Sequence, residues 1–249
     1  MNLDLDLDLA ARAARAGAAA ALARFGAVLE VADKGSGADP VSEADREAEA
    51  AAVAVIRAER PDDGLLGEEG AAAEGSHGRR WVVDGIDGTQ NFLSRAPHWC
   101  CAVGFEERGA AAAGAVCDPL RDELFAGAAG AGCTLNGVPI ATRGDGRLVA
   151  TFVHPRRVWG AVQVGAVLAG LAEAGFSPRV TGCGGIELGW VAAGRLAGWA
   201  QPNADPWDWL PGRALVEAAG GRCVVESAWH VAGATSAVVD ELLTALSAR

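Results

Sequence analysis

The spacing of apolar and polar residues in the first quarter of the chain predicts two helices separated by a loop. Residues 9–30 carry Ala and Leu at helical intervals, and residues 42–60 open with Ser, Glu and Asp and stop at Pro61. The Leu/Asp repeat at the N-terminus alternates with period two, as a strand would. We interpret it as an acidic helix start, because negative charge stabilises a helix N-terminus. Residues 33–41 and 70–79 are predicted loops.

Beyond the second helix the pattern predicts short strands. Residues 65–67 and 81–83 are apolar and precede acidic residues. From residue 98 to 140, short apolar segments alternate with Gly-rich turns, which is typical of an antiparallel meander.

After about residue 145, strand-like and helix-like segments alternate, which indicates α/β layering. The predicted strands lie near 148–154, 179–182 and 196–201, and the predicted helices near 159–174, 185–194 and 209–219. We therefore expect an α/β fold in a single domain over residues 1–249, made of two closely packed halves, about 1–145 and 146–249.

Charge and composition narrow the class of protein. The chain has 249 residues, is 51% hydrophobic and carries a formal charge of −11, which is typical of a globular protein and argues against binding to nucleic acid or anionic membranes. No apolar run approaches the roughly 20 residues that span a bilayer, and the N-terminus lacks the basic region of a signal peptide. We expect neither nucleic acid nor membrane among the partners.

The cysteines and the single lysine add two expectations. The six cysteines form no C-x-x-C pair and lie in apolar segments, which predicts buried, reduced thiols and a cytoplasmic location. The four histidines show no zinc-binding spacing. Lys34 is the only lysine in a chain rich in Ala, Gly and Arg, a composition that favours a GC-rich genome such as that of an actinobacterium.

Acidic residues recur at the ends of predicted elements in four segments. These are residues 39–45 (DPVSEAD), 67–69 (GEE), 84–89 (DGIDGT) and 207–208 (WD). Each has a structural explanation: Asp45 could complete a capping box with Ser42, Asp208 could cap a helix, and the others could be solvated loops or turns. For any one segment alone, the structural explanation is the stronger.

The segment 84–89 is the most informative of the four. Asp84 directly follows a predicted strand and Asp87 comes three residues later, so both carboxylates can face one point. Gly88 and Thr89 then offer backbone N–H groups at a helix start, which is an anion-binding arrangement. Paired carboxylates with few histidines suit Mg²⁺, a hard cation that prefers oxygen ligands.

Together these segments resemble the inositol monophosphatase family of Mg²⁺-dependent, lithium-sensitive phosphatases. The family's D-x-V-[ST]-x-x-D, G-E-E, W-x-x-D-P-I-D-G-T-x-N-F and W-D-x-x-x-G patterns appear in the family's order at residues 39–45, 67–69, 81–92 and 207–212. Lys34 falls where the family places a lysine near its metal site. The resemblance implies an αβαβα sandwich of the inositol monophosphatase and fructose-1,6-bisphosphatase type. It also implies a homodimer, which could cover an apolar face of the meander.

The resemblance further implies hydrolysis of a phosphate monoester, first of all myo-inositol 1-phosphate, by a metal-activated water with two or three Mg²⁺ ions. The implied metal ligands are Glu68, Asp84, Asp87, Asp208 and the backbone carbonyl of Ile86. The implied catalytic residues are Asp45, Glu68, Thr89 and Lys34, and the implied substrate contacts are Asp87, Gly88, Thr89, Gln201 and Gly184.

The chain departs from the family's patterns near the expected site. Gly85 replaces the usual Pro, and we expect it to loosen the turn without removing a ligand. Trp209, Leu210 and Pro211 replace small residues, and we expect their bulk to narrow the substrate mouth. Gln201 stands where animal members carry a carboxylate that contacts inositol hydroxyls, and an amide keeps hydrogen bonding but not charge.

Alternatives to inositol phosphate stay open. Histidinol phosphate, a nucleotide 3′-phosphate and a sugar or aminocyclitol phosphate are other candidates. A carboxylate at the pocket rim, from Glu187 or Asp205, would favour histidinol phosphate, but we expect Glu187 to lie on a helix face instead. A different class of function is an interaction protein of the transcription machinery with vestigial catalysis. The complete set of carboxylates favours the enzyme.

Overall fold

Helices and sheets alternate through the part of the chain that the computed structural model describes, which is residues 3–28, 31–33, 40–75, 77–152 and 164–247. The helices are α1 (Leu3–Arg24), α2 (Glu43–Glu59), α3 (Thr89–Leu93), α4 (Val164–Glu173), α5 (Gly184–Ala192), α6 (Pro206–Ala218) and α7 (Ser236–Ser247). The strands are β1 (Val31–Asp33), β2 (Pro40–Ser42), β3 (Gly64–Gly67), β4 (Ala72–Ala73), β5 (Arg79–Asp87), β6 (Cys100–Glu107), β7 (Ala110–Asp118), β8 (Glu123–Ala128), β9 (Gly132–Leu135), β10 (Val138–Ile140), β11 (Leu148–Thr151), β12 (Ser177–Arg179), β13 (Gly198–Pro202), β14 (Arg222–Glu226) and β15 (Trp229–Gly233).

Two large sheets organise the fold. The first has the strand order β10-β9-β8-β7-β6-β5-β3-β4, and its run from β5 to β10 is the antiparallel meander that the sequence predicts. The second has the order β12-β11-β13-β15-β14, with β11 parallel to both of its neighbours. A short antiparallel pair, β1 with β2, flanks residues 34–39, which lie outside the described part.

The layers follow the order helix, sheet, helix, sheet, helix. Helices α1 and α2 pack on one face of the first sheet, α5 and α6 lie between the two sheets, and α4 and α7 cover the outer side of the second. This confirms the predicted αβαβα sandwich. Helices of the same chain cover both faces of β6, β7 and β8, so an apolar face for a partner chain could lie only at the β9–β10 edge, and the homodimer stays a prediction.

The acidic start of α1 has a specific partner. Asp6 is buried and accepts hydrogen bonds from the guanidinium groups of Arg60 at 3.0 Å and Arg79 at 2.9 Å. Arg79 also donates to Asp63 at 3.0 Å, and Trp81 Nε1 donates to the second oxygen of Asp63 at 2.8 Å. The network ties α1 to the first sheet, so the Leu/Asp repeat is a helix start, as predicted.

Several boundaries differ from the sequence-based expectation. Helix α1 ends at Arg24 rather than near residue 30, shortly before Gly26 takes a positive φ of 83°. Helix α6 begins at Pro206, three residues earlier than expected, because Pro is well suited to the first turn of a helix. Strands β14 and β15 and helix α7 were not predicted at all. Within the described ranges, no helix combines the length and apolar character that a membrane span needs.

All six cysteines are free thiols, as expected. Five of them are buried, and Cys223 is partly exposed.

Candidate active site

Asp84 and Asp87 lie at the end of β5, on either side of a β-bulge. Asp84 pairs with Ala102 of β6 and Asp87 pairs with Cys100, so β5 carries one extra residue between the two carboxylates. The sequence predicted that the strand ends at Asp84, whereas it continues to Asp87. A bulge within a strand therefore takes the place of the predicted turn.

Gly85 lies in this bulge against the backbone of α2. A Cβ atom at Gly85 would lie 2.6 Å from the carbonyl oxygen of Asp45 and 2.6 Å from the nitrogen of Glu49. Gly85 thus permits a close approach of helix and strand, which the sequence did not predict, and the loosening effect stays a prediction. That approach brings the start of α2 to the acidic end of β5.

Four carboxylates form an acidic cluster at this point. Asp84 is only 1% exposed, and its Oδ1 has no hydrogen-bond partner among the described residues. Burial and the negative charges of Glu68, Asp87 and Asp208 raise the pKa of Asp84 well above its usual value. Groups that disfavour each other's ionised form are stabilised by a cation between them, and an oxygen-only donor set suits a hard divalent cation.

Asp208 reaches the cluster from the first turn of α6. Asp205 is the N-cap residue and Pro206 begins the helix, so Asp208 is not the cap that its position suggested. Gln201 Nε2 donates a hydrogen bond to Asp208 Oδ2 at 2.9 Å. Burial and the charges of nearby carboxylates, Asp87 first among them, raise the pKa of Asp208 to about 8.

Thr89 and Asp45, two of the catalytic residues that the family resemblance implies, contact each other. The Thr89 hydroxyl lies 2.9 Å from Asp45 Oδ1 and 3.0 Å from the carbonyl oxygen of Ile86. The second oxygen of Asp45 accepts hydrogen bonds from the Ser42 N–H at 2.8 Å and the Ser42 hydroxyl at 2.6 Å. Asp45 therefore serves the capping box of α2 and also fixes Thr89.

Gly88 makes the turn between β5 and α3. Its φ is +92°, a conformation that favours glycine, and a Cβ there would lie 3.1 Å from the carbonyl oxygen of His98. Helix α3 has only five residues. An anion at its start would depend on individual N–H groups rather than on the dipole of a long helix.

Asp87 is held from the side of α5. The Gly185 N–H donates to Asp87 Oδ2 at 2.5 Å, and the Cys183 thiol lies 3.3 Å from the same oxygen. Burial raises the pKa of Asp87, and these hydrogen bonds oppose that increase. Gly184 begins α5 and is buried, with the Trp199 ring 3.4 Å from the position of a Cβ.

Two residues that hold parts of the site in position were not predicted from the sequence. Glu49 on α2 is buried, and its carboxylate accepts the N–H groups of Glu69 at 2.7 Å and Ala71 at 2.9 Å, which fixes the turn that carries Glu68. Its spacing of four residues from Asp45 places both on one face of α2, which is the signal that could have revealed it.

Asn91 is the second of these residues. Its Nδ2 lies 2.8 Å from the carbonyl oxygen of His98 and 2.9 Å from that of Thr181. It joins α3 to the segment before α5, so the Asn of the G-T-x-N-F pattern holds two parts of the site together.

Other expected site residues lie elsewhere. Lys34 lies outside the described residues, as does Asp39. Glu187 lies on a helix, as expected, but its carboxylate is fully buried and accepts hydrogen bonds from the Thr181 hydroxyl and, at 2.9 Å, from Trp199 Nε1. It is not a rim carboxylate.

The bulky residues of α6 do not line an open mouth, so that expectation was wrong. Trp209 is buried and stacks on Trp199 with ring centroids 5.6 Å apart. Pro211 lies against the first sheet, where a Cβ at Gly114 would meet its carbonyl oxygen at 2.2 Å.

Comparison of the whole chain with known proteins agrees with the geometry. A sequence model described as the inositol monophosphatase family matches residues 3–238. The chain belongs to the inositol monophosphatase family. A family relative named Nus factor SuhB, from Escherichia coli K12, is 34% identical over 199 residues, covering 78% of this chain and 74% of that protein. The inositol-1-monophosphatase of Rhizobium meliloti is 36% identical over 221 residues, covering 80% and 78%.

A solved structure has the same fold as this chain. The inositol monophosphatase from Anabaena sp. PCC 7120 superposes with a TM-score of 0.84 at 28% identity, covering 100% of this chain and 97% of that one. Family and fold are thus the same over nearly the whole chain, while relatives carry names from two kinds of function.

Proposed function

We propose that this protein is a Mg²⁺-dependent phosphatase that hydrolyses a small-molecule phosphate monoester, with myo-inositol 1-phosphate as the first candidate. The observation that carries the proposal is the acidic cluster around the buried Asp84. Phosphate monoesters hydrolyse extremely slowly without a catalyst, so an enzyme needs charge neutralisation and a positioned water. The acidic cluster is suited to the first of these requirements and the Thr89–Asp45 contact to the second.

The donor set supports Mg²⁺ as the cofactor. It consists of oxygen atoms, and the buried Oδ1 of Asp84 lacks a hydrogen-bond partner among the described residues. Two or three ions would be held by Glu68, Asp84, Asp87, Asp208 and the Ile86 carbonyl. When bound, the ions would neutralise phosphate oxygens, lower the pKa of a water molecule and stabilise the leaving oxygen.

Thr89 would position the attacking water. Its single hydroxyl proton points to Asp45 or to the Ile86 carbonyl, so the lone pairs of its oxygen remain to accept a hydrogen bond from water. Asp45 accepts two hydrogen bonds from Ser42 at its other carboxylate oxygen, which holds the carboxylate in place beside the Thr89 hydroxyl. Glu68 would bind the same water from the opposite side, and Lys34 would complete the catalytic set by family resemblance.

The phosphate would lie at the turn between β5 and α3. The N–H groups of Gly88 and Thr89 are the proposed donors to its oxygens, next to Asp87. Gly88 supplies the positive φ of this turn, which is a conformation that favours glycine.

The alcohol half of the substrate is the less constrained part of the proposal. The 36% identical relative named inositol-1-monophosphatase supports myo-inositol 1-phosphate. Glu187 gives no support to histidinol phosphate, because it is bound inside the core rather than at the rim. Asp205, the partly exposed N-cap residue of α6, stays the rim carboxylate that would favour histidinol phosphate. Gln201 and Gly184 stay proposed substrate contacts, and nucleotide, sugar and aminocyclitol phosphates stay alternatives.

A second candidate function follows from the relative named Nus factor SuhB, which is 34% identical. It is an interaction with the transcription machinery, with or without catalysis. The complete acidic cluster favours retained catalysis, because a protein that only binds partners has no need of buried, mutually repelling carboxylates. A homodimer in the cytoplasm is part of the same proposal, and light scattering that gives the mass of one chain would contradict the dimer.

Phosphate release from a substrate panel tests the proposed function. The panel contains myo-inositol 1-phosphate, histidinol phosphate, a nucleoside 3′-phosphate, a sugar phosphate and an aminocyclitol phosphate, each assayed with Mg²⁺. We expect release above background, with the highest kcat/KM for myo-inositol 1-phosphate. A higher kcat/KM for another member of the panel would identify that compound as the better substrate. The proposed phosphatase activity would still hold. Release from none of them, by folded protein, would favour the interaction protein.

A further inference from the structure

Two cysteine thiols converge on one carboxylate oxygen behind the acidic cluster. Cys183 Sγ lies 3.3 Å and Cys100 Sγ 3.8 Å from Asp87 Oδ2, and the two sulfurs are 3.6 Å apart. Cys100 begins β6, opposite Asp87 in the ladder, and Cys183 is the N-cap residue of α5. Three ligand atoms from three different elements therefore meet within 4.8 Å of one another.

Their separations match those around a tetrahedral thiolate-bound ion. With metal–sulfur bonds of about 2.3 Å and a metal–oxygen bond of about 2.0 Å, tetrahedral geometry separates two sulfurs by about 3.8 Å and sulfur from oxygen by about 3.5 Å. The sulfur pair is at 3.6 Å and the sulfur–oxygen pairs are at 3.3 and 3.8 Å. A rearrangement of a few tenths of an ångström would complete the geometry.

Close packing holds the thiols in this arrangement. Both are fully buried, and a Cβ at Gly185 would lie 2.9 Å from Cys100 Sγ, while a Cβ at Gly88 would lie 3.3 Å from the Cβ of Cys183. Glycines at these two positions thus leave just the room that the sulfurs occupy. Asp87 and Gly88 are partly exposed, which gives an ion an entry path from the active-site side.

We propose that Cys100, Cys183 and Asp87 form a binding site for one thiophilic divalent cation, of the Zn²⁺ or Cd²⁺ class, distinct from the all-oxygen Mg²⁺ cluster. Soft thiolate ligands select such ions over Mg²⁺. On binding, each thiol releases its proton to solvent, and no electron is transferred. Because Asp87 belongs to both sites, occupation by the soft ion would inhibit the phosphatase, and this consequence rests on the proposed function.

Cadmium binding to the fully reduced protein tests the site without any activity measurement. In excess Mg²⁺, we expect one Cd²⁺ per chain with an ultraviolet sulfur-to-metal charge-transfer band. Cys100→Ser and Cys183→Ser should each weaken the affinity by at least about tenfold. Cys223→Ser removes the partly exposed thiol and should change neither the band nor the affinity.

The contradicting results are equally specific. No thiolate band in the wild type, or equal affinity in the wild type and in both folded variants, would overturn the site. If the serine variants do not fold by circular dichroism, X-ray absorption of the Cd²⁺-loaded wild type decides instead. Two sulfur neighbours are expected there, and a shell of oxygen alone would overturn the proposal.

Inhibition is measured separately. At saturating Mg²⁺, Zn²⁺ should inhibit phosphate release by the wild type and by Cys223→Ser alike, and should inhibit Cys100→Ser at least about tenfold less strongly, relative to its own zinc-free rate. Equal inhibition of all three would refute the shared role of Asp87. An absence of phosphate release in every protein would contradict the proposed function, while the cadmium result would still decide the site.

Discussion

Gln201 donates a hydrogen bond through its side-chain amide to Asp208 Oδ2 at 2.9 Å. The residue that family resemblance assigned to the substrate therefore touches a proposed metal ligand. An amide donor stabilises the ionised form of Asp208 without adding charge to a crowded acidic cluster, and the contact lowers the pKa of Asp208 against the effect of burial. Gln201 is thus expected to support metal binding as well as substrate binding.

Substitution of Gln201 should change the response to Mg²⁺. Gln201→Ala removes the hydrogen bond, and Gln201→Glu adds a negative charge beside Asp208. Loss of such an outer partner of a metal ligand typically lowers metal affinity by about 10- to 100-fold. We expect the Mg²⁺ concentration for half-maximal activity to rise in Gln201→Ala and not in Gln201→Glu, whose added negative charge attracts the cation. A changed substrate KM with an unchanged Mg²⁺ response would restrict Gln201 to substrate binding.

Thr89 and Asp45 should act as one unit. Thr89→Val and Asp45→Asn remove the hydroxyl and the carboxylate that orient the water, and misplacement of a reacting group by about 1 Å can cost roughly 10²-fold in rate. Both variants should lose at least that factor in kcat at saturating Mg²⁺. The double variant should have a kcat only slightly below that of the less active single variant, because the effects of substituting residues that act as a unit are not additive.

Thr89→Ser is the matched control for this cycle. It keeps the hydroxyl and should retain most of the activity. If the two residues were only separate helix caps, each change would cost about 1 kcal/mol of stability and little rate. Near-normal kcat in both single variants, or strictly multiplicative losses, would contradict a water-positioning pair.

Glu49 should hold the turn that carries Glu68. Glu49→Ala leaves the N–H groups of Glu69 and Ala71 without their acceptor, and a buried donor without a partner costs about 1–3 kcal/mol. We expect a lower free energy of unfolding and a weaker Mg²⁺ response. Glu47→Ala, on the same helix in a solvent-screened ion pair with Arg24, should lower the free energy of unfolding much less than Glu49→Ala does. Equal effects of the two substitutions would refute this role for Glu49.

Stability should depend on pH through Glu187. Burial raises the pKa of Glu187 from 4.5 to about 7. Between these pH values the folded protein keeps a proton that the unfolded chain releases, so the free energy of unfolding falls as pH rises through this window. The full shift corresponds to about 3 kcal/mol. Glu187→Gln should remove this decline in the free energy of unfolding. The variant should therefore become more stable relative to the wild type as pH rises from 4 to 8. Denaturant unfolding at saturating Mg²⁺ measures the difference.

Glu226 supplies the control for this pH profile. It is exposed at the end of β14. Glu226→Gln should follow the wild-type profile. If Glu187→Gln also follows it, then Glu187 is not the group that titrates between folded and unfolded states.

Local patterns predicted those features that depend on neighbours in sequence. The capping box at Ser42 and Asp45 and the antiparallel meander are written in short-range spacing, and the structure confirms both. The start of α6 was misplaced because Asp208 was interpreted as a cap, although Asp205 followed by Pro206 is the stronger signal. We predicted that β5 ends at Asp84, three residues too early, because a Gly-rich segment can form either a β-bulge or a turn.

Tertiary contacts explain what the sequence did not predict. Glu49 looks like one more acidic residue on a helix, and only the packing of α2 against β5 places its carboxylate under the turn that follows β3. Cys100 and Cys183 are far apart in sequence. They meet where the start of β6 lies against the start of α5. The bulk of Trp209 suggested a narrowed mouth, but stacking on Trp199 puts it in the core.

A metal titration of phosphate release by the wild type and Asp84→Asn tests the central claim most directly. After exhaustive chelation, the wild type should release no phosphate from the best substrate of the panel, and Mg²⁺ should restore the activity. Asp84→Asn should stay inactive at every Mg²⁺ concentration while its circular dichroism matches that of the wild type, because Asp84 is the central ligand of the proposed metal site. Full activity of the wild type in excess chelator, or a near-normal rate in Asp84→Asn, would contradict the account.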